Sequence, residues 1–277
     1  MPIKKDGAGN RRVEMEFLTP GTPEQVWNAM ATGSGNGAWF ANAEIEERVG
    51  GAFRLNFGPD VNTTGEVTAW DPPHRFGYVE RDWSEGAPPV ATEITITSRS
   101  GDRCVVRMVH SLFATTDDWD DQMEGFEAGW PGFFEVLRTY LANFAGMKAA
   151  SFIAQTSLEG DQLAIWKGLT GDLGLAGVDA GERRTTEPVP ETLSGLVDSV
   201  RQDAQSRAIM LRLDTPGPGI ASVGTYGAGP NVTISMCLYF YGDDAQRLAS
   251  VSEPLWRNWL RQTFVPARHS HLTRVDD

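Results

Sequence analysis

The stretch Val13-Glu14-Met15-Glu16-Phe17, with Thr22-Pro23-Glu24-Gln25-Val26-Trp27 after it, decides how the chain folds. Residues 13–17 alternate apolar and polar, the pattern of a half-buried strand. Thr22 and Gln25 form a capping box with Pro23 at the first helical position, so a helix opens there and runs through Val26, Trp27 and Met30. The glycine-rich segment 33–37 follows. It lacks the lysine and the strand-to-helix setting of a phosphate cradle, and reads as a mobile loop leading to Trp39-Phe40. Strand-like segments then succeed one another. Residues 43–49 turn at Gly50-Gly51 into 52–57, 65–70 turn at Asp71-Pro72-Pro73 into 75–83, and 92–99 turn at Ser100-Gly101-Asp102 into 104–113. Short turns in such succession predict an antiparallel meander. A helical segment begins near Asp117, restarts at Pro131 and carries Trp130, Phe133, Phe134, Leu137, Leu141 and Phe144, one wide apolar stripe.

The second half repeats this order more faintly. Residues 151–156 read as a strand and 162–169 as a helix bearing Ile165-Trp166 where the first copy has Val26-Trp27. Gly181-Glu182-Arg183 and Gly195-Leu196-Val197 stand where Gly51-Ala52-Phe53 and Gly65-Glu66-Val67 stood. Strands at 207–213, 220–226 and 231–241 follow, then a helix with Pro254 near its start and Trp256, Trp259, Leu260 and Phe264 on one stripe. The second copy is shorter, and the strand matching 43–49 is the expected loss. The reading is α+β: tandem domains at 12–146 and 147–265, the second degenerate, and a tail at 266–277.

The chain has 277 residues, 40% apolar and 10% aromatic, enough for two packed cores. Its formal charge of −13 disfavours phosphate backbones and anionic headgroups, so no nucleic-acid partner is expected. No apolar run approaches a membrane span and no signal peptide is visible, so membrane insertion is not expected and a cytoplasmic location is. Two cysteines, Cys104 and Cys237, exclude a disulfide framework.

Together Thr22-Pro23-Glu24-Gln25-Val26-Trp27, Trp39-Phe40, Val49-Gly50-Gly51-Ala52-Phe53-Arg54, Gly65-Glu66-Val67, Asp71-Pro72-Pro73 and Gly129-Trp130 resemble the helix-grip fold of the START/SRPBCC superfamily. More narrowly, copy one is similar to the homologues of the activator of the heat-shock-protein-90 ATPase. The second copy lacks the Trp-Phe pair, the double glycine and the Asp-Pro-Pro turn, and rests on order and strand pattern only. The resemblance implies a curved antiparallel sheet wrapped around each long C-terminal helix, with a cavity between them that binds a hydrophobic small molecule. Tandem members in polyketide and enediyne pathways suggest natural-product biosynthesis or self-resistance. A polyketide cyclase or aromatase is the alternative, and a protein-interaction module of co-chaperone type a third; a protein partner remains unidentified.

Alternation assigns the expected lining. Phe53, Leu55 and Phe57 share one face of the first hairpin, and Val106, Met108, His110 and Leu112 one face of the last strand. Trp130, Phe134 and Leu137 would meet them from the helix, with Trp39, Phe40 and Tyr78 completing the site. Ile234, Met236, Trp256 and Leu260 are the counterparts in copy two. For any one of these residues, core is the simpler role. His110 is the one inward histidine and the single weak candidate for acid–base work; a hydrogen-bonded core histidine is the blander role. Asp117-Asp118-Trp119-Asp120-Asp121 suits a helix start better than a cation site, and His269 and His271 lack carboxylate support, so no metal and no cofactor are expected.

Overall fold

The computed structural model describes residues 4–5, 11–58, 62–81, 83, 86–113, 119–203, 206–227 and 230–264, without the side chains of residue 5 and of 120–128. The first half contains β1 (Lys4–Lys5), β2 (Arg11–Pro20), α1 (Pro23–Ala31), α2 (Gly33–Asn36), β3 (Asn42–Ile45), β4 (Ala52–Asn56), β5 (Asn62–Asp71), β6 (Arg75–Arg81), β7 (Val90–Arg99), β8 (Arg103–Leu112) and α3 (Asp120–Asn143). The second contains β9 (Ala149–Glu159), α4 (Gln162–Asp172), β10 (Arg183–Thr185), β11 (Ser194–Gln202), β12 (Ser206–Thr215), β13 (Gly219–Tyr226), β14 (Asn231–Tyr241) and α5 (Ala245–Phe264).

Two antiparallel sheets result, in the orders β1-β2-β8-β7-β6-β5-β4-β3 and β10-β11-β12-β13-β14-β9. Read outward from its first long strand, each sheet runs first strand, last strand, then back through the meander. The topology therefore repeats, and β10 takes the place of β4. The second sheet has no counterpart of β3 among the described residues, as the shorter sequence of copy two suggested. The α+β tandem helix-grip arrangement is thus the fold.

Three local readings need correction. Residues 33–36 form a short helix rather than a mobile loop. The Thr32 hydroxyl accepts from the Gly35 amide, and a β-carbon at Gly35 would lie 1.7 Å from the Asn28 carbonyl oxygen, so glycine here permits close contact. Residues 43–49 supply strand only at their start, within Asn42–Ile45. Pro131 and Pro254 lie in the middle of continuous helices and restart nothing. Asp117, Asp118, the side chains of Asp120 and Asp121, and His269 and His271 fall outside the described residues.

The second sheet is buried on both faces. Phe152, Leu211, Val223, Met236 and Phe240 point into a core closed by Trp256 and Leu260 of α5. The alternate residues Ile153, Met210, Ile220, Cys237, Tyr239 and Tyr241 join the core of the first half instead. There α3 meets them: Tyr140 and Phe144 stack on Tyr241 at ring-centre distances of 5.6 and 4.2 Å. Thr139 donates to Asp198 at 3.3 Å, and Ser199 donates to Glu135 at 2.6 Å. Both Asp198 and Ser199 reach α3 because the pairing register of β11 shifts between Val197 and Ser199. The layers therefore run first sheet, α3, second sheet, α5.

The turn after α2 locks onto this face. Three carbonyls of the turn, past the last residue of α2, accept from hydroxyls of the second sheet. Ser151 donates to Gly37 O at 2.7 Å, Tyr241 to Ala38 O at 2.7 Å, and Tyr239 to Phe40 O at 3.0 Å. Tyr241 is buried, so Tyr241→Phe strands a buried carbonyl and should cost about 1–3 kcal/mol in urea unfolding followed by fluorescence. An unchanged midpoint would contradict this role.

Candidate functional site

The candidate site lies between the first sheet and α3. Trp130 is its centre. Its ring stacks on Phe40 (4.8 Å), Phe134 (5.4 Å) and His110 (5.5 Å) and lies 6.4 Å from Trp39. Phe53 stacks on Tyr78 at 3.9 Å, and Phe134 on Phe17 at 3.8 Å. The Trp39 indole N–H donates to Ala29 O at 2.8 Å, which fixes the ring and satisfies a buried donor. Leu55 and Leu137 are buried in the same core.

These side chains fill most of the space between sheet and helix. What remains beside Met30, Asn36, Tyr78, Ile94 and Met108 is a cavity of about 10 Å³, room for roughly one water. The ligand-sized hollow implied by the family resemblance is closed here by aromatic rings. Phe40 lines this small cavity and also a larger cleft of about 350 Å³ between the two halves. Phe57 lines the cleft and meets Phe40 edge-on at 5.3 Å. Phe40 is thus the partition between the cleft and the interior.

A polar chain crosses the apolar interior. The Thr92 hydroxyl lies 2.8 Å from His110 Nδ1, and Tyr78 pairs with Thr92 on the neighbouring strand. The three residues face one another on neighbouring strands, Tyr78 opposite Thr92 and Thr92 opposite His110. Burial lowers the His110 pKa to about 4, so its imidazole is neutral at pH 7. Burial, and secondarily the charge of Glu80, raises the Tyr78 hydroxyl above its ordinary range. Glu80 accepts from Thr63 at 2.8 Å, and burial raises its carboxyl as well. Burial also pushes the Cys237 thiol up to about 11, which leaves it a poor nucleophile.

The residues singled out in the sequence divide into separate groups. Trp39, Phe40, Phe53, Leu55, Tyr78, Met108, His110, Trp130, Phe134 and Leu137 share the first core, with Phe57 at its edge. Ile234, Met236, Trp256 and Leu260 sit in the second core, beyond the second sheet. Trp256 donates to Glu191 at 3.1 Å, where Ser252 also donates, a bond that anchors α5. Sequence reasoning missed Thr92, although counting outward from the turn at Gly101 places it opposite His110. It also missed Asn36, hidden in what read as a loop.

Residues 20–142 match the family model described as Activator of Hsp90 ATPase homolog 1-like protein. No curated protein matches the sequence. Among solved structures, CalU16 from Micromonospora echinospora is similar at 20% identity, with a TM-score of 0.41, over 51% of this chain and 83% of that one. DynU16, described as a protein in the dynemicin biosynthetic locus, is 16% identical, with a TM-score of 0.42, over 90% of this chain and 94% of that one. Aha1 from Colwellia psychrerythraea is 18% identical, with a TM-score of 0.40, over 47% of this chain and 95% of that one.

The pH dependence of stability reports the His110 environment. The folded protein holds the imidazole near 4, against an ordinary 6.5. Between those values the unfolded chain binds a proton that the folded one refuses. Stability from this residue is therefore complete above pH 6.5 and falls as pH drops toward 4, by about 1.4 kcal/mol per unit at most. In urea unfolding, His110→Gln should lose less stability than the parent between pH 6.5 and 4; parallel curves would contradict the buried, neutral assignment. The aromatic, capping and turn elements described above fall within residues 20–142, the span similar to the Activator of Hsp90 ATPase homolog 1-like family, which is less than half of the chain.

Proposed function

We propose that the chain binds a hydrophobic small molecule of polyketide, polyene or lipid-like character in the interior of its first half, between the sheet and α3. The observation that carries this reading is the aromatic nest around Trp130, which encloses the Tyr78–Thr92–His110 chain and is parted from the cleft by one ring, Phe40. A flat unsaturated ligand suits such surroundings. Rings offer it area, and the hydroxyl of Tyr78 or Thr92 can orient one oxygen. Met30 and Met108 are unbranched and adapt their shape, so the interior can open around a guest as Phe40 swings toward the cleft. A setting in natural-product biosynthesis or self-protection rests on the superfamily resemblance alone. The domains 12–146 and 147–265 are the units we assign, the first holding the ligand.

The polar chain favours a second reading, a polyketide cyclase or aromatase-like enzyme. A neutral His110 could take a proton from a bound intermediate, with Thr92 and Tyr78 relaying it. Burial makes that imidazole a weak base, so positioning would carry most of the rate.

Titration with a fluorescent linear polyene fatty acid, followed by tryptophan quenching, tests the first reading. One ligand per chain, at about micromolar affinity, is expected. Met108→Trp should fill the residual space and weaken binding at least tenfold, whereas Phe40→Ala should speed association. Failure to saturate, or unchanged affinity in a folded Met108→Trp protein, would overturn the placement.

A further inference from the structure

The cleft between the two halves has a chemistry unlike the aromatic interior. Asn42 pairs with Asn56 across β3 and β4, and Asn56 pairs with Asn62 across β4 and β5. Three amides therefore stand in one transverse row at the end of three neighbouring strands, all exposed and all lining the cleft. Across from them, α5 contributes Arg257 and Glu253. Arg257 Nε and Nη2 both bond Glu253 Oε1 at 2.8 Å, so the guanidinium is fixed in direction and its charge is matched. Phe40 and Phe57 supply two rings beside the row. Gly58 follows Phe57 beside Arg257, and its φ of +132° is a backbone conformation that favours glycine.

We infer that this cleft is a binding site for a neutral, hydroxyl-rich ring, a saccharide unit or similar cyclic polyol. Each asparagine amide carries two donors and an acceptor without charge, Asn56 Oδ1 already accepting from the Gly58 N–H at 2.8 Å, and hydroxyls both donate and accept. An apolar ring face, such as the C–H face of a sugar, would lie against Phe57, while the Arg257–Glu253 pair supplies one further donor and one acceptor from the opposite wall. An anion fits less well, because Glu253 already matches the one arginine and the chain carries a net −13. A purely apolar ligand would desolvate three amides without replacing their hydrogen bonds. The volume of about 350 Å³ lies at the lower end of the roughly 300–1,000 Å³ of small-molecule pockets, enough for a ring-sized group. Because the walls come from both halves, the site exists only in the tandem chain. This inference stands apart from ligand binding in the interior and does not need it.

The test uses para-nitrophenyl glycosides of glucose, galactose, mannose, rhamnose and xylose, observed by saturation-transfer NMR with the full chain. At least one should bind saturably below about 20 mM, with transfer to its sugar protons. Asn42→Leu/Asn62→Leu and, separately, Arg257→Met should each weaken that glycoside at least tenfold. Lys167→Ala, on the exposed face of α4 away from the cleft, should leave it unchanged, and an unaltered melting curve for each variant shows that it is folded. No saturable binding by any of the glycosides would overturn the inference, as would binding that folded cleft variants leave untouched. Polyene binding in the same variants reads the interior independently, so failure of one proposal is distinguishable from failure of the other.

Discussion

Three backbone carbonyls in the turn after α2 need donors, and the second sheet provides them. Ser151, Tyr241 and Tyr239 reach Gly37, Ala38 and Phe40 in turn. The two tyrosines are fully buried, so these bonds are made where water cannot substitute for them, and losing either strands a carbonyl. The same face of the sheet takes the stacked rings of Tyr140 and Phe144 from α3. The second half thus completes the first, and it does so at the turn that carries Trp39 and Phe40.

That placement governs the interior. Trp39 is held by its bond to Ala29 O, Phe40 lies against Trp130, and Trp130 stacks on His110. Position is passed from the second sheet to the turn, from the turn to the aromatic nest, and from there to the polar chain. Each step is a short contact between buried groups, so displacing the turn would be felt at the histidine without any covalent change near it. Phe40 has a double part, as one wall of the cleft and as the lid of the small inner cavity.

Much of this was legible in the sequence. The capping box at Thr22 and Gln25 is present with both of its hydrogen bonds, and the apolar stripe of α3 packs as its spacing implied. The repeat gave both sheets, including the edge strand that the second lacks among the described residues. What escaped was the two-sided burial of β14. Alternation assigned Ile234 and Met236 to one face, but the unbroken run Cys237-Leu238-Tyr239-Phe240-Tyr241 already pointed to burial on both. The short helix at Gly33–Asn36 was hidden because glycine weakens helix propensity, while the contact that requires it, Gly35 against Asn28, exists only in three dimensions. The closed interior was not readable at all, since periodicity tells which residues face inward and not whether their volumes leave a gap.

The account depends on the second sheet holding the Trp39-Phe40 turn. Hydrogen exchange of the Trp39 indole N–H, followed by NMR in the parent and in Tyr239→Phe/Tyr241→Phe, reads that dependence directly. Loss of two buried bonds worth about 1 kcal/mol each should speed this exchange roughly 30-fold, while amides in the core of the second half keep their protection. Equal Trp39 protection in the two folded proteins would mean that the turn holds itself, and that the second half does not shape the site.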